Sequence, residues 1–222
     1  MQNAEIELKF PIDDLELLQS RLPALGFQLE TPRTFEQNTL YDTPTRALRE
    51  LKQILRIRQY GSVWTVTHKR KVNPSDDSAS RYKVRIETET AVDDGPALGI
   101  IFQQLGLSPV FRYEKFRSEW SHPAPTVAAP APLNTLVPTE VPLFSTCHLV
   151  LDETPIGNYA ELEGPPAWID STLAALGVDP ARCLTDSYGR LFLAWKQRTG
   201  SPAEHLTFDQ IPAPELLQPA LR

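Results

Sequence analysis

The sequence predicts an α+β protein in which strands outnumber helices, and three observations support this fold class. Seven segments alternate charged and apolar residues with a period of two, which is typical of strands with one polar and one apolar face. Two segments with helical leucine or isoleucine spacing begin after aspartates and end at glycines. Hydrophobic residues make up 41% of the 222-residue chain, so it can bury a core.

The first strand is predicted at residues 5–10, where charged and apolar side chains alternate. Asp13 or Asp14 can cap the helix that follows, which closes at Gly26 and which Pro23 is expected to shorten or kink. Further strands are predicted at residues 37–43, 54–59, 63–69, 81–90, 111–120, 147–152 and 158–163. Further helices are predicted at residues 48–52, 94–105, 168–176 and 187–197.

Three stretches read as connections rather than as core elements. Residues 60–62 contain Gly61 and predict a hairpin, and the polar residues 70–79 predict a loop. Residues 121–145 contain six prolines, which cannot donate to a sheet, so this segment is expected to be a linker or an extended surface excursion and to be replaceable. We therefore expect one domain over residues 1–198 with a Pro-rich insertion at 121–145, and a loosely attached tail over residues 199–222.

Composition narrows the range of functions. The net charge of −6 disfavours a duplex nucleic-acid binder. The charged first ten residues and the lack of an apolar run of about 18 residues predict neither a signal peptide nor a membrane span. Cys147 and Cys183 have neither disulfide-framework nor zinc spacing. Two cysteines suit a reducing compartment, and a single disulfide between them is the alternative. The expectation is a cytoplasmic protein that binds no nucleic acid and no membrane.

Charged residues occupy one face of each of seven strands. Neighbours of the same sign recur on these faces, as in the pairs Glu5/Glu7, Arg56/Arg58, Lys115/Arg117 and Glu161/Glu163. Like charges on one face repel, so such pairs suit a multivalent ion of opposite sign between them. A polyphosphate would serve the bases and a divalent cation the carboxylates. The alternative is that every ionic face simply contacts water.

The N-terminal motif Glu5-x-Glu7-x-Lys9 resembles the ExExK signature of the CYTH proteins, the triphosphate tunnel metalloenzymes. Other motifs that resemble this family follow in order: Tyr41-Asp42-Thr43, Leu55-Arg56-Ile57-Arg58, Trp64-Thr65-x-Thr67-x-Lys69, Lys83-x-Arg85-x-Glu87-x-Glu89, Lys115-x-Arg117, Asp152, Gly157-x-Tyr159-x-Glu161-Leu162-Glu163 and Ser187-Tyr188. The Pro-rich segment departs from the family pattern, where a short hairpin is common, and is expected to be either a disordered excursion or a lid at the mouth of the tunnel.

The resemblance implies a closed antiparallel β-barrel of about eight strands around a charged tunnel, with helices on the outside. It implies that a triphosphate is held by Lys9, Arg56, Arg58, Lys69, Arg85, Lys115 and Arg117. It implies that Mg²⁺ or Mn²⁺ is held by Glu5, Glu7, Glu161 and Glu163, with Glu87, Glu89 and Asp152 assisting. With Lys83 and Glu119, eight bases then face eight acids, a balance that suits buried charge.

The activity that the resemblance implies is metal-dependent hydrolysis of inorganic triphosphate, thiamine triphosphate or a nucleoside triphosphate. Lys115 is the candidate for stabilising charge at the reacting end, and Glu87 is the second candidate catalytic residue. A class IV adenylate cyclase and a non-catalytic polyphosphate or nucleotide binder are the alternatives. The expected partner is a small-molecule triphosphate, and the expected state is a monomer or homodimer.

Trp64 and His148 remain open between two roles. Trp64 is either an aromatic platform for an organic substituent or a packing residue. His148 shares a predicted face with Asp152, yet a lone histidine is more often structural. Tyr188 and Trp195 are expected to be core contacts of the last helix.

Overall fold

The computed structural model describes residues 2–71, 81–124 and 146–212, so the predicted loop at 70–79 and the predicted Pro-rich insertion lie largely outside the described residues. The eight strands are β1 (Gln2–Ile12), β2 (Gln28–Asp42), β3 (Ile54–Tyr60), β4 (Val63–Arg70), β5 (Lys83–Val92), β6 (Ser108–Pro123), β7 (Thr146–Thr154) and β8 (Gly157–Glu163). The five α-helices are α1 (Leu15–Arg21), α2 (Ala47–Glu50), α3 (Gly95–Gln104), α4 (Pro166–Leu176) and α5 (Tyr188–Thr199).

The strands form one closed barrel in the order β1-β5-β4-β3-β2-β6-β7-β8, and β8 pairs back with β1. Every neighbouring pair is antiparallel. Closure leaves no edge strand with unpaired backbone groups. This confirms the predicted α+β fold with a closed antiparallel barrel and helices outside it.

The alternation in each strand separates a charged interior from an apolar exterior. In β1, Leu8 and Phe10 are almost fully buried outside the barrel, whereas Glu7 and Lys9 point inward. The outer apolar face of β1, β7 and β8 packs against α1 and α4 in one continuous core, which includes Leu22, Leu149, Leu162, Ile169 and Leu173. The usual hydrophobic core therefore lies between barrel and helices, and the barrel interior is free to hold charge.

Strands β2 and β6 are longer than the sequence predicts. The two strands pair from Gln28↔Ser121 to Asp42↔Ser108, with register shifts on either side of Thr31. The irregular pairing accommodates Pro32, which has no N–H to donate. Because residues 28–36 lack a regular alternation, the pattern placed the start of this strand at residue 37.

The helix boundaries follow the predicted caps. Asp14 accepts a hydrogen bond from the Leu17 N–H at the start of α1, and Asp94 accepts one from the Ala97 N–H at the start of α3. Asp42 ends β2 and accepts backbone hydrogen bonds from the first turn of α2. None of the described helices has the length and apolar character needed to cross a membrane.

The segment after α5 packs on the barrel, so the predicted loose attachment is wrong for residues 201–212. Leu206 is fully buried, and its backbone exchanges hydrogen bonds of 3.0 and 2.9 Å with Arg112 and Glu114 on β6. Ala203 and Ile211 join the same apolar cluster with Phe192 of α5. The division of the chain at residue 198 stays a prediction, and residues 213–222 lie outside the described part.

Candidate active site

A cavity of about 140 Å³ lies inside the barrel and is lined mainly by charged side chains. Its walls include the four acids Glu5, Glu7, Glu161 and Glu163 and the seven bases Lys9, Arg56, Arg58, Lys69, Lys83, Lys115 and Arg117. Ser187, Tyr188 and Gly189 at the start of α5 contribute to the same lining. Bases are in excess at the cavity surface itself, whereas the predicted balance of eight bases and eight acids concerned the whole interior and stays a prediction.

Asp152 links the bases of β6 to α5. It is fully buried, and its carboxylate accepts hydrogen bonds from Arg117 at 2.6 Å, from Lys115 at 2.9 Å and from the Tyr188 hydroxyl at 2.5 Å. Arg117 also binds Glu161 at 2.9 Å. Asp152 raises the pKa of Arg117 against the opposing effect of burial, so the guanidinium stays charged.

Glu36 is a second buried carboxylate among these bases, and the sequence did not identify it. Its side chain is fully buried, and Oε1 lies 3.4 Å from Lys115 Nζ and 3.7 Å from Arg58 Nε. Asn38 donates a hydrogen bond of 2.8 Å to the same oxygen. Burial would raise the pKa of Glu36, but Lys115, Arg58 and Arg117 outweigh burial and hold the pKa well below its usual range.

Glu5, Glu7 and Glu163 form the acidic part of the cavity. Glu5 binds Lys69 at 2.7 Å and Glu7 binds Lys83, so both carboxylates are paired in this structure. Burial, followed by the charges of Glu5 and Glu7, raises the pKa of Glu163 to about 8. These carboxylates therefore repel one another, and Lys69 compensates part of that repulsion.

Arg56 connects the two parts of the interior. It donates hydrogen bonds of 3.1 Å to the Tyr113 hydroxyl and to Thr67, and it lies 3.9 Å from Glu87 and 3.6 Å from Glu89. Glu87 also binds Lys69 at 2.9 Å. Glu87 and Glu89 thus contact bases that line the cavity without lining it themselves.

The predicted site residues fall into two groups. The cavity lining contains Lys9, Arg56, Arg58, Lys69, Lys115, Arg117, Glu5, Glu7, Glu161 and Glu163. The residues that lie behind or beside it are Arg85, Glu87, Glu89 and Asp152. The guanidinium of Arg85 donates to the Val84 carbonyl at 3.3 Å, and the oxygens of Asp152 are occupied by Lys115, Arg117 and Tyr188. The roles assigned to all of these residues remain predictions.

Two aromatic residues of the predicted strands and helices take different positions relative to the cavity. Tyr188 belongs to an apolar cluster but also faces the cavity, where its ring lies 4.2 Å from Lys9 Nζ and 4.9 Å from Lys115 Nζ. Both ammonium groups are close enough for cation–π attraction. Trp64 lies outside the barrel against the N-terminus of α3, where a Cβ on Gly95 would be 2.1 Å from the indole. Its position favours the packing role.

His148 also lies away from the charged cavity. Its side chain is 39% exposed, and Nδ1 is 3.8 Å from Glu30 Oε2. The cavity lining near it is supplied by Val150 of the same strand. The structural interpretation of this histidine therefore fits its position.

The carboxylates suit a hard divalent cation by their chemistry but are not assembled around one. Carboxylate oxygens are the ligands that Mg²⁺ and Mn²⁺ prefer. Within the described residues, however, no three His, Cys, Asp or Glu side chains are grouped closely enough to hold a metal ion. Glu5 and Glu7 bind lysines instead, and the repulsion felt by Glu163 is what a cation would relieve.

A larger cavity of about 370 Å³ lies between the sheet, Trp64 and the C-terminal segment. Its lining includes Arg112, Glu114, His205 and Asp209 among amide and hydroxyl side chains. Arg112 is the one lysine or arginine of the described chain in that lining. A polyphosphate needs several bases, so the chemistry favours the barrel interior despite its smaller volume.

Comparison with known sequences identifies the family to which the chain belongs. Residues 3–163, which are most of the chain and contain all eight strands except the first residue of β1, match the CYTH domain. The chain belongs to the CYTH domain family. This confirms the resemblance on which the tunnel prediction rested. A search of curated proteins gives no significant match to this CYTH protein.

Three solved structures from different organisms share the fold of this chain. The PH1819 protein of Pyrococcus horikoshii OT3 is 19% identical with a TM-score of 0.62, and the match covers 86% of this chain and 99% of that one. A Vibrio parahaemolyticus protein proposed to be an adenylate cyclase is 16% identical with a TM-score of 0.59, covering 86% and 98%. A Hippeastrum adenylyl cyclase candidate, HpAC1, for which a dominant triphosphatase activity is described, is 15% identical with a TM-score of 0.55, covering 88% and 96%. These identities are low enough that the likeness shows the fold alone.

Proposed function

We propose that this CYTH protein is a divalent-metal-dependent triphosphatase that binds the triphosphate inside the barrel. The observation that carries the proposal is the excess of bases on the cavity surface, seven against four acids, in a chain whose net charge is −6. A protein that concentrates its bases in one enclosed space creates a local attraction for anions. The compact, multiply charged ligand that suits this space is a polyphosphate.

The bases differ in how freely they can reach a phosphate. Lys115 and Arg117 are held by Asp152, Glu36 and Glu161, which fixes their position without covering every donor. Arg56 Nε and Arg58 Nε are buried and have no hydrogen-bond partner among the described residues. Because an unpaired buried donor costs free energy, phosphate oxygens would satisfy these groups on binding. We therefore assign Arg56 and Arg58 to direct phosphate binding.

Glu5, Glu7 and Glu163 would hold Mg²⁺ or Mn²⁺. When bound, the cation would neutralise charge on the phosphate oxygens and lower the barrier to displacement at phosphorus. Lys69 and Lys83 would then be released from Glu5 and Glu7 and could bind phosphate themselves, with Lys69 still held by Glu87 at 2.9 Å. Lys115 remains the candidate for stabilising charge at the reacting end. Glu87 does not line the cavity, so its part in catalysis would be to position Lys69, which it binds at 2.9 Å.

The lining argues for hydrolysis over cyclisation. A cyclase must hold a ribose and a base as well as three phosphates, whereas most of the described lining is charged. Hydrolysis needs only the charged interior and water. The cyclase reaction and binding without turnover are the two alternatives that the assay below distinguishes from hydrolysis.

The test is to incubate the purified chain with tripolyphosphate, thiamine triphosphate and ATP, each with Mg²⁺, with Mn²⁺ and with excess chelator. Phosphate and cyclic AMP are measured in the same samples. The proposal expects phosphate release that stops with chelator. If ATP instead yields cyclic AMP and pyrophosphate, the protein is a cyclase and the proposal is wrong. If the triphosphates bind tightly but give no product, the protein is a binding protein and the proposal is also wrong.

A further inference from the structure

Glu36 lies in the described interior but is absent from the predicted site. Its carboxylate is fully buried and contacts bases on two different strands. It contacts Arg58 on β3, and Lys115 and Arg117 on β6, at 3.4 to 3.9 Å. The Arg58 contact joins its Nε to Glu36 Oε1 at 3.7 Å. Lys115 and Arg117 have Asp152 as a second partner.

The contacts of Glu36 are loose and incomplete. Oε2 has no hydrogen-bond partner among the described residues, and neither has Nε of Arg58. Ion pairs of 3.4 to 3.9 Å are longer than the roughly 2.8 Å of a charge-assisted hydrogen bond. Asp152, by comparison, is bound at 2.6 Å by Arg117. Glu36 therefore balances the charge of these bases without using their hydrogen-bonding capacity.

We infer that Glu36 is a built-in anion that sets the affinity of the interior for phosphate. In the free protein it neutralises part of the charge of Arg58, Lys115 and Arg117, which otherwise would repel one another in a closed space. When a phosphate chain binds to the same bases, the fixed carboxylate repels it. Glu36 thus weakens anion binding and does so more strongly as the ligand carries more charge. This inference rests on the proposed function, because it assumes that phosphate binds to these bases.

The test is a calorimetric titration of the full chain with tripolyphosphate and with pyrophosphate, in excess chelator so that no turnover occurs. Glu36→Gln keeps the shape of the side chain and removes its charge. At about 6 Å and an effective dielectric constant of about 20, one unit charge changes binding by more than tenfold. We expect Glu36→Gln to bind tripolyphosphate at least about tenfold more tightly, with a smaller gain for pyrophosphate. Glu36→Asp, which keeps the charge, should stay within about threefold of the wild type.

The melting temperature supplies a second readout. Free Glu36→Gln should melt below the wild type, because it leaves the bases unbalanced, and tripolyphosphate should raise its melting temperature by more than it raises that of the wild type. Glu16→Gln on the exposed surface of α1 is the matched control and should change neither quantity.

Several results would overturn the inference. These are unchanged or weaker tripolyphosphate binding by folded Glu36→Gln, equal tightening by Glu36→Asp, or a Glu36→Gln chain that stays unfolded in excess tripolyphosphate. A purely structural residue would give one of these results, since its loss does not strengthen binding. If the wild type gives no binding heat in chelator and also releases no phosphate with Mg²⁺ or Mn²⁺, it is the proposed function that fails, and that outcome is distinct from the others.

Discussion

Removing the charge of Asp152 should destabilise the free protein strongly. In Asp152→Asn, an amide replaces the carboxylate that accepts two hydrogen bonds from Arg117, one from Lys115 and one from Tyr188. Removing one partner of a buried ion pair costs about 3–5 kcal/mol because the other charge is left buried and unpaired. In the variant Arg117 still contacts Glu161 at 2.9 Å, and Lys115 still contacts Glu36 at 3.4 Å. We therefore expect the free energy of unfolding to fall by about 3 kcal/mol, the lower end of this range.

The assay is urea denaturation without metal or phosphate, with Asp13→Asn as the matched control. Asp13 also binds an arginine through two hydrogen bonds, Arg182 at 2.7 and 2.8 Å, but its side chain is 76% exposed. An exposed pair contributes little, so the midpoint of this control should barely move. If Asp152→Asn is instead as stable as the wild type and loses only its thermal response to Mg²⁺, Asp152 is a metal ligand and the account of it as an anchor for the bases is wrong.

Three further predictions concern the metal, pH and the C-terminal segment. Glu7→Gln should lower metal-dependent turnover about 10²-fold, whereas the exposed control Glu16→Gln should not; equal rates would remove Glu7 from the metal site. Because the pKa of Glu163 is raised to about 8 in the fold from about 4.5, the stability that its protonated form contributes is present below pH 4.5 and is lost as pH rises to 8. The stability of Glu163→Gln relative to the wild type, measured in urea with chelator, should therefore increase from pH 5 to pH 8, and a constant difference would contradict the raised pKa. Leu206→Ala should lower the free energy of unfolding, measured in urea, by about 2–5 kcal/mol. Leu193→Ala, at a position 54% exposed, is the control and should lower it far less. Similar losses for both variants would show that residues 201–212 attach loosely after all.

The interior faces of most strands could be predicted because side-chain alternation is a local property. Glu5, Glu7 and Lys9 had to share a face once residues 5–10 were a strand, and the same holds for Arg56 and Arg58. Whether that shared face contacted water or other charges could not be read from one strand. The family resemblance supplied that step, and the closed barrel confirms it.

Glu36 and Tyr188 were not predicted to lie at the cavity, because their positions depend on distant parts of the chain. Glu36 fell just before the predicted strand, because Pro32 and the irregular pairing of β2 hide the alternation there. Extending the strand toward the N-terminus would have put Glu36 on the face of Asn38 and Leu40. Tyr188 enters the cavity from α5, and no periodicity within that helix indicates that its first residue contacts Lys9 and Lys115.

The pairing of individual acids with individual bases could also not be predicted from the sequence. Asp152 is predicted to assist in metal binding, and the pairing of β6 with β7 also sets it opposite Arg117. Which carboxylate faces which base is decided by the register between strands that are far apart in the chain. Sequence reasoning therefore gives the composition of the interior more readily than the partners within it.

The most direct test of the central claim is a crystal structure of the chain with Mn²⁺ and a non-hydrolysable triphosphate analogue. The anomalous signal of Mn²⁺ should lie inside the barrel beside the carboxylates of Glu5, Glu7 or Glu163, with the phosphates against Arg56, Arg58 and Lys115. A triphosphate bound in the outer cavity beside Arg112 and His205, with the barrel interior still closed by its own ion pairs, would contradict the account.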